Sequence, residues 1–143
     1  MRDVVIDASL AATWAIPEPH SQQALTLASR WARMGTRLLA PCLLVAEVTN
    51  AIYRRVARGE LDLSTARAAL KIVLGFSIEI REESGIPDRA MELAHRFKMP
   101  TTYDCHYLAL AERYQCELWT GDQRFHNAVK DAIPWIRWVG SAS

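Results

Sequence analysis

The sequence predicts an α/β fold built on one parallel sheet of about five short strands with helices on both faces. Three observations predict it. Short apolar runs alternate with helical patterns along the whole chain, and no hairpin signal joins neighbouring strands, so the connections are crossovers and the strands parallel. The chain has 143 residues, half of them hydrophobic and 23% charged. That length buries one core of roughly two-thirds of the unfolded surface and leaves no room for a second. Residues 1–143 are therefore expected to form a single domain.

Val4-Val5-Ile6, ending at Asp7, reads as a buried strand. Ala8 to Ala15 is helix-compatible up to Ile16-Pro17. Ser21 to Met34 carries Ala24, Leu25, Ala28, Trp31 and Ala32 at helical spacing, with Gly35 at the C-terminal position that glycine favours. Leu38-Leu39-Ala40 is a brief strand broken by Pro41. Leu44, Val48, Ile52 and Val56 repeat every four residues along the next helix, which runs to Gly59. Asp62 or Ser64 caps a helix reaching about Leu74. Ser77 to Arg81 alternates as a strand does, Asp88 to Phe97 is amphipathic, and Tyr103 to Tyr114 is helical. Glu117 to Thr120 is a strand, Phe125 to Val129 a short helix, and Ile136 to Val139 the last strand.

Composition excludes several classes. Seventeen basic and sixteen acidic residues give a net charge of +1, which is neither a polycation nor an acidic tail. No run approaches the ~20 apolar residues of a membrane helix, and Asp3 and Asp7 interrupt any leader-like apolar segment. Cys42, Cys105 and Cys116 form neither a disulfide framework nor a zinc motif, and the four histidines have no ligand spacing. A cytoplasmic location is expected.

In open α/β sheets, ligands bind at the carboxyl ends of the strands. Asp7 ends the first strand, and Asp122 follows the Glu117–Thr120 strand. Glu47 borders the apolar stripe of its helix, and Asp104 shares an inward face with Tyr107, Leu108 and Ala111. Each acid also has a plainer reading: Asp7 and Asp122 as helix caps, Asp104 as part of a capping box begun by Thr101, Glu47 as an arginine's partner. Together, two acids at strand ends and two inward helix acids point to a hard-cation site of oxygen ligands, of the Mg²⁺ or Mn²⁺ type.

These residues carry a family resemblance. Val5-Ile6-Asp7-Ala8-Ser9, Glu47-Val48-Thr49-Asn50-Ala51-Ile52, Thr102-Tyr103-Asp104 leading into Tyr107 to Glu112, and Trp119-Thr120-Gly121-Asp122-Gln123-Arg124-Phe125 stand in this order. Over nearly the whole chain they resemble PIN-domain nucleases, and most closely the VapC-type ribonuclease toxins of toxin–antitoxin modules. The resemblance implies a metal-dependent endoribonuclease hydrolysing RNA phosphodiesters with one or two Mg²⁺ or Mn²⁺ ions. It makes Asp7, Glu47, Asp104 and Asp122 the acidic cluster, with Asp7 and Asp104 the most direct ligands and the other two direct or through water. Ser9 and Thr120 match the hydroxyl positions beside that cluster, and Asn50 the helix asparagine. It also implies a cognate antitoxin; a homodimer is expected as well, although the sequence does not fix the oligomeric state.

Arg54, Arg55 and Arg58, on the helix of Glu47, and Arg124, beside Asp122, are the candidate phosphate contacts; a solvated, solubilising face is the plainer reading. Trp14, Trp31, Leu25 and Val56 are candidate apolar patches for a partner. A phosphoacceptor receiver domain would need an acidic pair after the first strand, an Asp after the third and a Lys after the last. The chain offers Asp7-Ala8, no Asp in Glu79 to Glu83, and no Lys after Val139. A haloacid-dehalogenase-like phosphatase would need an Asp where Ser9 stands. The alternative that survives is a PIN-type nuclease or nucleic-acid-binding module not paired with an antitoxin.

Overall fold

The computed structural model describes residues 2–142. In chain order it contains β1 (Asp3–Ile6), α1 (Ala8–Ala12), α2 (Ser21–Met34), β2 (Arg37–Ala40), α3 (Leu43–Ala57) and α4 (Leu63–Leu74). Then follow β3 (Ile78–Ile80), α5 (Ile86–Arg96), α6 (Tyr103–Tyr114), β4 (Glu117–Thr120), α7 (Gln123–Val129) and β5 (Ile136–Trp138), with a closing 3₁₀ turn.

The five strands form one sheet in the order β3-β2-β1-β4-β5, every pair parallel. Register aligns Val5 with Leu39 on one side and with Leu118 on the other. Consecutive strand residues point to opposite faces, yet Val4, Val5 and Ile6 are each at most 1% exposed. The central strand is thus covered on both faces, which its β-branched run requires. The chain builds outward from β1 through β2 to β3, then returns to add β4 and β5 on the other side. The order reverses between β1 and β4, and the crevice of such a sheet opens at that point.

Most elements lie where the residue pattern puts them. Gly35, at φ +68°, closes α2, and Asp62 caps α4 through the Thr65 N–H at 2.7 Å. Several boundaries differ by one to three residues, and two of these have a clear local cause. The first helix ends at Ala12, three residues short of Ala15; Thr13 turns its hydroxyl onto the Leu10 carbonyl at 2.6 Å, and tighter turns carry the chain to Pro17. The fifth helix begins at Ile86, two residues before Asp88, because Pro87 sits in the first turn, where its missing N–H loses nothing.

Trp14 and Trp31 are not patch residues. They are 5% and 6% exposed. Trp14 stacks on Phe76 at 4.2 Å and donates its indole N–H to the Ala24 carbonyl, while Trp31 meets Trp119 edge-on. Both serve the core; Val56 is partly buried against it, and of the four only Leu25 is exposed. No described helix is long and apolar enough to cross a membrane.

Candidate active site

Asp7 leaves β1 at the sheet's switch point and is only 4% exposed. A carboxylate so buried needs hydrogen bonds, and neighbours from both ends of the chain supply them. Ser9 Oγ donates to Oδ1 at 2.7 Å, the Leu10 N–H donates to the same oxygen at 3.0 Å, and Thr120 Oγ1 donates to Oδ2. Thr120 is fully buried at the end of β4. Its hydroxyl accepts from the Asp122 N–H at 3.0 Å, and Ser9 Oγ accepts from the Gly121 N–H at 2.9 Å. Ser9 and Thr120, the two flanking hydroxyls, thus clamp Asp7 and tie it to the loop that carries Asp122. Gly121 permits the close approach, since a methyl group there would stand 3.0 Å from the Ser9 carbonyl oxygen.

Asp122 caps α7, accepting from the Arg124 and Phe125 N–H groups at 2.9 and 3.2 Å. Asp7 caps α1 through Leu10 in the same way, so for both residues the capping and cluster readings coexist. For Asp104 they do not. Thr102 is the N-cap of α6 and makes no side-chain capping bond. Asp104 is half-buried one turn before Leu108, with no hydrogen-bond donor on its carboxylate among the described residues. Glu47 meets no arginine either; it is held by the Tyr107 hydroxyl at 2.6 Å.

Tyr107 is the residue that sequence reasoning missed. On an apolar stripe it looks like core, and it is 1% exposed. Its hydroxyl nevertheless reaches across to α3. Burial and the hydrogen bond to Glu47 push its ionisation far above the usual phenol range, so it stays a donor. A polar group that must find a partner when buried was the available signal.

Asp7, Glu47, Asp104, Asp122 and Tyr107 line one cavity of about 220 Å³, with Ala8, Ser9, Ala51 and Arg54 completing its wall. Burial raises the Asp7 carboxyl above its ordinary pKa, against the lowering effect of its hydrogen bonds. Burial first, then the charges of Asp7, Glu47 and Asp122, lifts Asp104 to about 6. These are the marks of like charges gathered in one buried cleft. Among the described residues, no three acidic, histidine or cysteine side chains stand close enough, as placed, to ligate one ion.

The other candidates divide. Asn50 is exposed on α3 and does not line the cavity. Arg54, one helical turn beyond Ala51, does. Arg55 is tied to Glu18 at 2.6 Å and to Glu60 at 3.3 Å, and Arg58 also pairs with Glu60. Both line an adjoining groove, but as neutralised cations. Arg124 is exposed beside Asp122. His106 turns its ring nitrogen to the Thr102 carbonyl at 2.8 Å and does not line the acid cavity.

A parallel sheet with a carboxylate cleft at its switch point defines an α/β domain that takes its ligand at the carboxyl ends of the strands. The PIN domain profile matches residues 4–131. A ribonuclease, VapC3 from Pyrobaculum aerophilum, is 30% identical over 123 residues, covering 85% of this chain and 90% of that one. Two solved structures share the fold. PAE2754 from Pyrobaculum aerophilum has a TM-score of 0.68 at 23% identity, over 98% of this chain and 91% of that one. VapC20 from Mycobacterium tuberculosis, a toxin that cleaves the sarcin–ricin loop, has 0.65 at 18% identity, over 87% and 94%. The chain belongs to the PIN domain family.

Proposed function

We propose that the chain is the endoribonuclease toxin of a type II toxin–antitoxin module, hydrolysing RNA phosphodiester bonds with Mg²⁺ or Mn²⁺. Asp7 and Asp104 would hold the cation most directly, and Glu47 and Asp122 would join them directly or through water. The observation that carries the reading is Asp104: a half-buried carboxyl lifted to about 6 by burial and three neighbouring acids, with no donor to satisfy it. Such a cluster resolves its repulsion by taking up a cation.

The donor set fits the ion. It is all oxygen, which suits Mg²⁺ and Mn²⁺ and not zinc. Magnesium binds through one or two carboxylates and keeps several waters, so the absence of a ready three-acid cage does not count against it. When bound, the ion would lower the pKa of a water and neutralise charge developing on the phosphoryl oxygens. The chain's own residues prepare that chemistry. Ser9 and Thr120 fix the orientation of Asp7, Tyr107 holds Glu47, and the α7 cap sets Asp122 at the rim.

RNA, a cognate antitoxin and a second copy of the chain are the partners in this reading, and the cytoplasm is its compartment. Incubation of a mixed RNA pool with the protein in Mg²⁺, in Mn²⁺ and in EDTA, with the product ends mapped, tests it. Discrete internal cuts that EDTA abolishes are expected; an RNA pool left intact with either metal refutes the nuclease.

A further inference from the structure

The cleft has cations as well as acids, and the structure sorts them. Arg54 and Arg124 are both exposed, and among the described residues neither guanidinium has a carboxylate or hydrogen-bond partner. Arg54 lines the acid cavity and also the groove of about 490 Å³ beside it. Arg124 lines that same groove and a third pocket of about 260 Å³, whose wall includes Asp104 and Asp122. The two free cations therefore stand on different elements, α3 and α7, each at a passage out of the acidic cleft. Arg58 is a built-in contrast: it lies on the same stretch of chain as Arg54, lines the same groove, and is already paired with Glu60.

A polyanion crossing four carboxylates needs positive charge on either side of them, and a guanidinium already bound to a carboxylate contributes little. We propose that Arg54 and Arg124 are the phosphate-binding residues of this cleft, gripping the RNA backbone on the two sides of the scissile phosphate, and that Arg55 and Arg58 take no part in RNA binding. The proposal rests on the ribonuclease reading above and adds to it the track of the strand. Arg54 lies on one face of α3 with Glu47 and Ala51, so the helix that supplies an acid also supplies the grip. Arg124, two residues after Asp122, repeats that coupling on α7. Arg55 instead fastens α3 to the segment before α2, through Glu18 and the Pro17 carbonyl.

The test measures binding without cleavage. An end-labelled single-stranded RNA of roughly 12 nucleotides, within the usual span of single-strand sites, is titrated with the Asp104→Asn chain in EDTA at several salt concentrations. Each phosphate contact contributes about 0.7 to the slope of log affinity against log salt. Adding Arg54→Ala or Arg124→Ala is expected to lower that slope by about 0.7 and to weaken binding roughly five- to tenfold at low salt. Arg58→Ala, which removes the same charge from the same groove, is expected to leave the slope unchanged, and Arg54→Lys to retain it.

Equal losses for Arg54→Ala and Arg58→Ala, or no loss for Arg54→Ala and Arg124→Ala, overturn the proposal. Because the slopes are read on a chain that does not cut, they stand apart from the activity. A wild-type chain that cleaves RNA while all the arginine variants keep the slope of the Asp104→Asn parent refutes the two arginines alone. A chain that neither cuts nor binds refutes the nuclease and the arginines together.

Discussion

The two ends of the sheet treat carboxylates in opposite ways. Where β1, β4 and α6 meet at the amino ends of the strands, Asp3 binds Arg37 through two bonds at 2.7 and 3.0 Å, Glu112 binds Arg89 in the same bidentate manner, and Glu117 pairs with Arg137 at 3.1 Å. These pairs hold the Asp3 and Glu112 carboxyls below their ordinary pKa. At the carboxyl ends, Asp7 and Asp104 face Glu47 and Asp122; Asp7 has two hydroxyls and an amide on its carboxylate, Asp104 no donor among the described residues, and both are raised. The residue type is the same at both ends, and the amino end even has a larger cavity, of about 630 Å³. Location of acids alone is therefore uninformative; the lack of any ion pair on the cleft's acids among the described residues separates it from the end whose acids are already neutralised.

Substitutions at the two ends should sharpen that contrast. The largest effect is expected on catalysis: Asp7→Asn or Asp104→Asn should lower kcat at least ~10²-fold, by removing charge stabilisation made at the transition state. Asp3→Asn, at the other end, should leave kcat unchanged. Steady-state cleavage of one RNA by the three variants checks this, and a fully active Asp7→Asn chain would break the contrast.

Next in size is the response to metal. In EDTA, Asp104→Asn should melt at or above the wild-type temperature, because it relieves repulsion. Mn²⁺ at ~100 times its Kd should raise the wild type by roughly 2.7 kcal/mol and so reverse the order. A variant destabilised equally in both conditions would make Asp104 purely structural.

The pH dependence should run in opposite directions at the two ends. The Asp104 carboxyl is raised to about 6, against an ordinary value of 3.8. Between those values the native chain holds more protons than the unfolded one, so without metal Asp104 removes stability as pH climbs from about 4 to about 6. Two pKa units set an upper bound near 3 kcal/mol. The advantage of Asp104→Asn over wild type in metal-free melts should therefore grow across that window and level off above it. For Asp3, whose pKa is lowered, the contribution is present above about 4 and is lost as pH falls through the folded value. The smallest effect is expected there. The pair is partly exposed, so Asp3→Asn at neutral pH should cost at most about 1 kcal/mol, or about 3 °C in Tm.

Periodicity made the long elements legible. The Tyr103–Tyr114 helix and the Glu117–Thr120 strand have the bounds that their patterns give. The gathering of the four acids was legible too, since an inward carboxylate breaks an apolar stripe visibly. Strand order was not legible, because nothing in a short apolar run says which neighbour it pairs with. Nor was Tyr107, whose hydroxyl matters only once α6 is packed beside α3. The sorting of arginines likewise lay outside the pattern: Arg54, Arg55 and Arg58 look alike in sequence, and only Glu18 and Glu60, brought in by folding, distinguish them.

The bond from Thr120 to Asp7 spans 113 positions of chain. Its consequence is one of timing. During synthesis, β1 emerges with its aspartate early, and Asp7 then has only its local donors, Ser9 and the Leu10 N–H, without Thr120 or the later acids. Asp104 and Asp122 follow more than ninety residues later, and β4 must then insert beside β1 before Thr120 and Gly121 can close on Asp7 and Ser9. Pairing of such separation is slow relative to local helix formation. The nascent chain therefore cannot assemble the four-acid cleft until Thr120 to Asp122 have emerged and β4 has docked beside β1.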